Sequence, residues 1–140
     1  MLRFVLVLII GISAFSYSQS QGWVTSFEEG VKLAKIQDKE LLIYFYGEHC
    51  PYCIQMEEFV LGDPQIDNYI KERFVVVSVD IKSSQELDRK FGVIGTPYFV
   101  IYDPEHDKAL MKIFGSRERE DFLSLLIKAC KKSSLRRCWE

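Results

Sequence analysis

The sequence predicts an α/β domain with a central mixed β-sheet flanked by helices on both faces. Three observations predict it. Residues 41–46 and 74–79 are continuous apolar runs without alternation, as expected of strands buried on both faces. Segments of helical period lie before, between and after them. The last third instead sets two apolar runs, residues 98–102 and 109–114, on either side of a polar turn, which suits an antiparallel hairpin. Parallel-type strands joined through helices, then a hairpin and a helix, make a mixed sheet with two covered faces.

Taken in order, the chain opens with Arg3 ahead of an apolar run from Phe4 to Ile12, followed by small and polar residues up to Gly22. That is the layout of a secretory signal peptide, expected over residues 1–20 with cleavage after Ser18 or Ser20. The run from Phe4 to Phe15 falls short of the roughly 20 residues that cross a bilayer, so no membrane span is expected after cleavage. The protein is therefore expected to be exported, periplasmic in a bacterium and otherwise secreted.

Ser26-Phe27-Glu28-Glu29 reads as a capping box, and Phe27, Val31 and Ala34 recur at helical spacing up to Asp38. Residues 41–46 form the central strand, which Gly47 ends. Beyond Cys53, residues Ile54, Met56, Phe59, Val60 and Leu61 sustain a helix until Gly62, and Asp63-Pro64 opens another with Ile66, Tyr69 and Ile70 inward. Residues 74–79 make the second strand. Ser83-Ser84-Gln85-Glu86, then Leu87 and Phe91, give a short capped helix stopped by Gly92. After the hairpin, Ser116 can cap a last helix with Leu123, Leu126, Ile127 and Cys130 as its apolar stripe. The domain is expected over residues 21–132, with residues 133–140 as a solvated basic tail.

With 140 residues and 48% hydrophobic composition, the chain has room for one core. Its 18 Lys and Arg stand against 20 Asp and Glu, so no overall positive field recruits nucleic acid. No Gly-rich phosphate loop or nucleotide fingerprint is present, and no organic cofactor is implied.

The chemistry lies in Cys50-Pro51-Tyr52-Cys53. Cys50 follows the buried strand directly and Pro51 suits a first helical position, which places Cys50 at the N-cap and Cys53 one turn on. Residues three apart on a helix face each other at about 5–6 Å between Cβ atoms, within a modest adjustment of disulfide distance. At the N-cap a sulfur meets unpaired N–H groups and the positive end of the helix dipole, both favouring thiolate. Cys50 is thus the expected nucleophile, and Cys53 the resolving thiol.

These residues carry a resemblance. An apolar strand leading to Glu48-His49-Cys50-Pro51-Tyr52-Cys53, a broken helix, the run ending at Val79-Asp80, and Gly95-Thr96-Pro97 before Tyr98 together resemble the thioredoxin superfamily, particularly its exported thiol-disulfide oxidoreductases. The resemblance implies a thioredoxin-like fold, a cis-proline at Pro97 beside the reactive pair, and substrate pairing at Thr96. It implies as partners disulfide-containing exported proteins and a thiol electron donor or acceptor. Pro51-Tyr52 is similar to the glutaredoxin dipeptide, where thioredoxins carry Gly-Pro. Where typical thioredoxins have Trp before the first cysteine and a buried Asp six residues ahead of it, this chain has His49 and Tyr44. Proton handling must then differ, or use Glu48, His49 or water. A cationic His49 would stabilise the Cys50 thiolate and Glu48 would oppose this, so both, with Pro51 and Tyr52, tune the pair. A reductase or general exchanger is favoured.

The remaining cysteines read more plainly. Cys130 and Cys138 are eight apart, outside short zinc-ligand spacing, so no metal site is expected. Cys130 is a small core residue on its stripe, and a structural disulfide to Cys138 would staple the terminus. The rival to the enzyme is a carrier in which the Cys50 and Cys53 thiolates hold a soft ion such as Cu(I). A monomer is expected.

Overall fold

The computed structural model describes residues 22–139, so the expected signal peptide lies outside the described residues. Helix α1 (Phe27–Gln37) begins where Ser26 Oγ accepts the Glu29 N–H at 3.3 Å and ends at Asp38, in the left-handed conformation. Strand β1 (Glu40–Tyr46) leads to α2 (Pro51–Met56), which widens into a π-helical turn (Glu57–Leu61) before Gly62. Asp63 caps α3 (Pro64–Arg73) by accepting the N–H groups of Gln65 and Ile66. Then come β2 (Phe74–Asp80), α4 (Gln85–Phe91), β3 (Tyr98–Asp103), β4 (Lys108–Phe114), α5 (Arg119–Cys130) and α6 (Arg136–Trp139).

The strand order is β2-β1-β3-β4, with β1 and β2 parallel and the other neighbours antiparallel. Because side chains alternate along a strand, β1 feeds two cores. Leu42 and Tyr44 face α2, α3 and α5, among Met56, Ile66, Phe122 and Leu126. Leu41, Ile43 and Phe45 face α1 and α4, among Ala34 and Phe91. The unalternating run at residues 41–46 is thus a strand with helices on both sides.

Two details depart from the sequence pattern. Helix α5 starts at Arg119 rather than at Ser116, and Ile127 is exposed while Phe122 and Ala129 are buried, so its inward stripe is turned toward Phe122, Leu126, Ala129 and Cys130. Residues 133–140 read as a solvated tail, and the structure corrects this for the described part. Ser133 is buried, Leu135 packs on the core, and Cys138 is bonded to Cys130 with the Cα atoms 5.1 Å apart. The physical reason is that Cys130 points inward from α5. A chain tied to it must double back, and the charges of Lys131, Lys132, Arg136 and Arg137 stay outside while Leu135 and Cys138 go in.

Candidate active site

Cys50 lies just beyond the carboxyl end of β1 and is the N-cap of α2, in extended conformation. Its Sγ accepts the Cys53 N–H at 3.2 Å, and its carbonyl accepts the N–H groups of Cys53 and Ile54. The sulfur therefore takes the place of a capping oxygen, where partial positive charge from the helix start favours negative charge on it. Pro51, first in the helix, has no N–H to leave unpaired. Cys50 and Cys53 are joined in a disulfide with Cα atoms 5.2 Å apart. Cys50 is half-buried, whereas Cys53 is 2% exposed and packs in the core beneath it. One sulfur is within a partner's reach and the other is behind it.

The loop before β3 closes over the same sulfur. Thr96 Oγ1 lies 3.4 Å from Cys50 Sγ, and the Thr96–Pro97 peptide bond is cis. The buried Pro97 accepts the Gly115 N–H at 2.9 Å through its carbonyl, which ties this loop to the end of β4. The approach is close on both sides: a Cβ at Gly47 would stand 3.1 Å from Thr96 Oγ1, and one at Gly95 would stand 2.9 Å from the Phe114 ring.

Glu48, His49 and Tyr52 are all exposed around the pair. Glu48 is bound to Lys82 and stands 3.9 Å from His49 Nε2. The His49 side chain is 91% exposed, so its ring is turned to water and Glu48. Beneath the pair, Tyr44 takes the position where thioredoxins have a buried Asp. Its hydroxyl donates to Glu57 Oε1 at 2.7 Å, and its ring stacks on Phe99 with centroids 5.0 Å apart. Burial, then the bond to Glu57, pushes the Tyr44 phenol far above its ordinary value, so it is a fixed donor and not an anion. Glu57 went unnoticed in the sequence, although it stands four residues after Cys53 on the same helical face. The Arg117 backbone N–H donates to Met56 Sδ at 3.2 Å, in the core cluster that also holds Cys53.

Among the described residues, no group of three or more His, Cys, Asp or Glu side chains is placed to hold a metal ion, and no helix is long and apolar enough to cross a membrane. A capping cysteine bonded to a buried partner one turn on, facing a cis-proline loop beyond a central strand, defines a thiol-disulfide oxidoreductase.

The chain belongs to the thioredoxin-like domain family, whose model matches residues 27–129. A solved thioredoxin from Thermus thermophilus is 40% identical, with a TM-score of 0.74 over 80% of this chain and 88% of that one. An oxidoreductase named DsbH superposes with a TM-score of 0.65 at 21% identity, over 85% of this chain and 94% of its own, a likeness of fold. An uncharacterized protein of Archaeoglobus fulgidus is 31% identical over 81 residues, 57% of this chain. The thiol:disulfide interchange protein DsbD of Ralstonia nicotianae is 23% identical over 109 residues, 76% of this chain. The chain spans 63% of the archaeal protein's length and 18% of DsbD's.

Proposed function

We propose that this protein exchanges disulfides with exported proteins through Cys50 and Cys53, working as a reductase or general exchanger. The observation that carries the reading is the asymmetry of the pair: Cys50 half-exposed at a helix N-cap, Cys53 buried behind it. In the reduced protein the Cys50 thiolate attacks one sulfur of a partner disulfide. The partner's other sulfur leaves as a thiolate and takes a proton. Cys53 then gives up its proton, and its sulfur attacks Cys50 Sγ, releasing the partner's second thiol and closing the intramolecular disulfide. Two electrons pass from dithiol to partner, and a thiol donor returns them.

Thr96 and Pro97 support this reading by placing a loop against Cys50 where a partner chain could pair. Pro51 and Tyr52 set the helix start, while Glu48 and His49 shape the field around it. Export rests on the layout of residues 1–20.

The test is reduction of insulin disulfides by dithiothreitol. The protein should accelerate it and Cys50→Ser should abolish the acceleration; equal turnover by that variant would refute the assignment. The potential of the couple gives the direction, since values within the superfamily run from about −270 mV for a reductase to about −120 mV for an oxidant.

A further inference from the structure

The end of the molecule remote from Cys50 is basic, although the chain as a whole has a formal charge of −2. Strand β1 starts beside Lys39 and runs seven residues, about 23 Å at 3.3 Å per residue, before the chain turns toward Cys50. At its starting end, α6 sets Arg136 and Arg137 across a cleft of about 740 Å³ from Arg73. Lys131 and Lys132, both exposed, stand between α5 and α6. The acids at this end are fewer. Asp38 and Glu72 line the cleft, with Glu72 held by Arg73 at 2.9 Å, and Asp67 is paired to Lys71 at 2.7 Å. Glu105 and Asp107 lie in the β3–β4 turn, where Lys90 binds Asp107, and Glu40 and Asp103 are buried at the neighbouring ends of β1 and β3.

The cations crowd one another. Burial and then the charge of Arg137 lower the Lys39 ammonium, whose Nζ donates to the Lys71 carbonyl. The Arg73 guanidinium lies over the Tyr69 ring, and its Nε is buried without a partner among the described residues. An anion in the cleft would relieve this repulsion.

We propose that this pole docks on an anionic phospholipid surface, with headgroup phosphates entering the cleft between α3 and α6. Two observations select a bilayer over a soluble anion. Trp139 is 70% exposed beside the cations, and its indole nitrogen already donates to the Ser133 carbonyl, so its ring presents apolar surface outward. An aromatic ring next to Lys and Arg is the composition of a membrane-interface contact. In addition, Lys131 and Lys132 stand exposed outside the cleft, so the positive charge spreads over a surface wider than one small anion covers. Docked this way, Cys50 is turned to the aqueous side.

The experiment is co-sedimentation of the oxidised protein freed of its expected signal peptide, residues 1–20, with vesicles of phosphatidylcholine alone and of phosphatidylcholine mixed with phosphatidylglycerol. Binding should favour the mixed vesicles and weaken as salt rises. Reversing both charges in Arg136→Glu/Arg137→Glu should weaken it by roughly tenfold or more, since each surface cation adds severalfold to anionic-lipid affinity. Trp139→Ala should weaken it as well, and insulin turnover in solution should stay at the wild-type rate in each variant. Equal binding to both kinds of vesicle would overturn the proposal, and so would binding by the wild type that ignores salt. Failure to sediment with either kind of vesicle would also overturn it, and a urea midpoint raised by inorganic phosphate would then assign the cleft to a free anion.

Discussion

The Tyr44 hydroxyl donates to Glu57 Oε1 at 2.7 Å, linking a fully buried strand residue to a carboxylate one helical turn beyond Cys53. Tyr44 shares the core cluster with Cys53, and the Glu57 side chain reaches solvent. The pair thus joins the cluster that buries the resolving sulfur to a carboxylate open to water, where thioredoxins keep a carboxylate on the strand itself. When Cys53 attacks Cys50 it must lose a proton in a site from which water is largely excluded, and a positioned carboxylate speeds such a step.

Glu57→Gln is therefore expected to slow release of the mixed disulfide by about a hundredfold or more, within the range typical of positioned bases. Tyr44→Phe, which frees the carboxylate without removing it, should have a smaller effect. Quenched-flow trapping of the mixed disulfide checks both. Formation of that species by Cys50 should be unchanged, and a slowed first step would remove Glu57 from this role.

The architecture was legible because burial on both faces writes itself plainly. An unbroken run such as residues 41–46 has no solvent side, and helical periods on either side of it supply the two covers. The placement of Cys50 followed from strand, proline and spacing alone. Illegible from one sequence were relations set by tertiary closure. The Cys130–Cys138 pairing is open to the sequence, but nothing in the polar composition of residues 133–140 shows that Ser133 and Leu135 are drawn inward with it. Glu57 carries no mark in the sequence of the Tyr44 hydroxyl that meets it in the fold. Gly30 carried no helical signal because its role is to be small. The orientation of His49, its ring beside Glu48 and open to water, is likewise set by the folded loop.

Cys130→Ala/Cys138→Ala should lower stability with little effect on turnover. Closing a loop of eight residues removes chain entropy worth about 2.5 kcal/mol. The loss should appear as a lower urea midpoint, with α6 becoming susceptible to proteolysis. The basic pole would lose its order at the same time. Insulin reduction should persist, because Cys50 and Cys53 sit at the other end of β1. A variant as stable as wild type would show that the staple contributes nothing beyond the packing of Leu135.

Gly30 marks where α1 presses on the sheet. A Cβ there would stand 2.3 Å from Val77 Cγ2 and 3.2 Å from Leu41 Cδ2, both on buried strands. Alanine favours a helix over glycine by about 1 kcal/mol, so propensity alone predicts a gain. Overpacking should win. Gly30→Ala is expected to destabilise by about 1–3 kcal/mol, measured by chemical unfolding, and Gly30→Ala/Val77→Ala should recover part of the loss.

Glu40 opens β1 with its side chain fully buried, accepting a hydrogen bond from Ser133 through Oε1 while Oε2 has no partner among the described residues. Burial raises its pKa from 4.5 to about 7; the Ser133 bond opposes the rise and the charge of Asp103 adds to it. The folded protein thus holds this proton more tightly than the unfolded chain does. Its favourable contribution is complete below the unfolded value of 4.5, declines as pH rises, and is lost once pH passes about 7. A shift of that size corresponds to about 3 kcal/mol across the window. Glu40→Gln has no proton to lose and retains an acceptor for Ser133. Its stability relative to wild type should rise between pH 5 and pH 8, read as the difference in urea unfolding free energy. A difference that stays flat across that window would mean that Glu40 is ionised in the fold at every pH, with its charge balanced by a group other than Ser133.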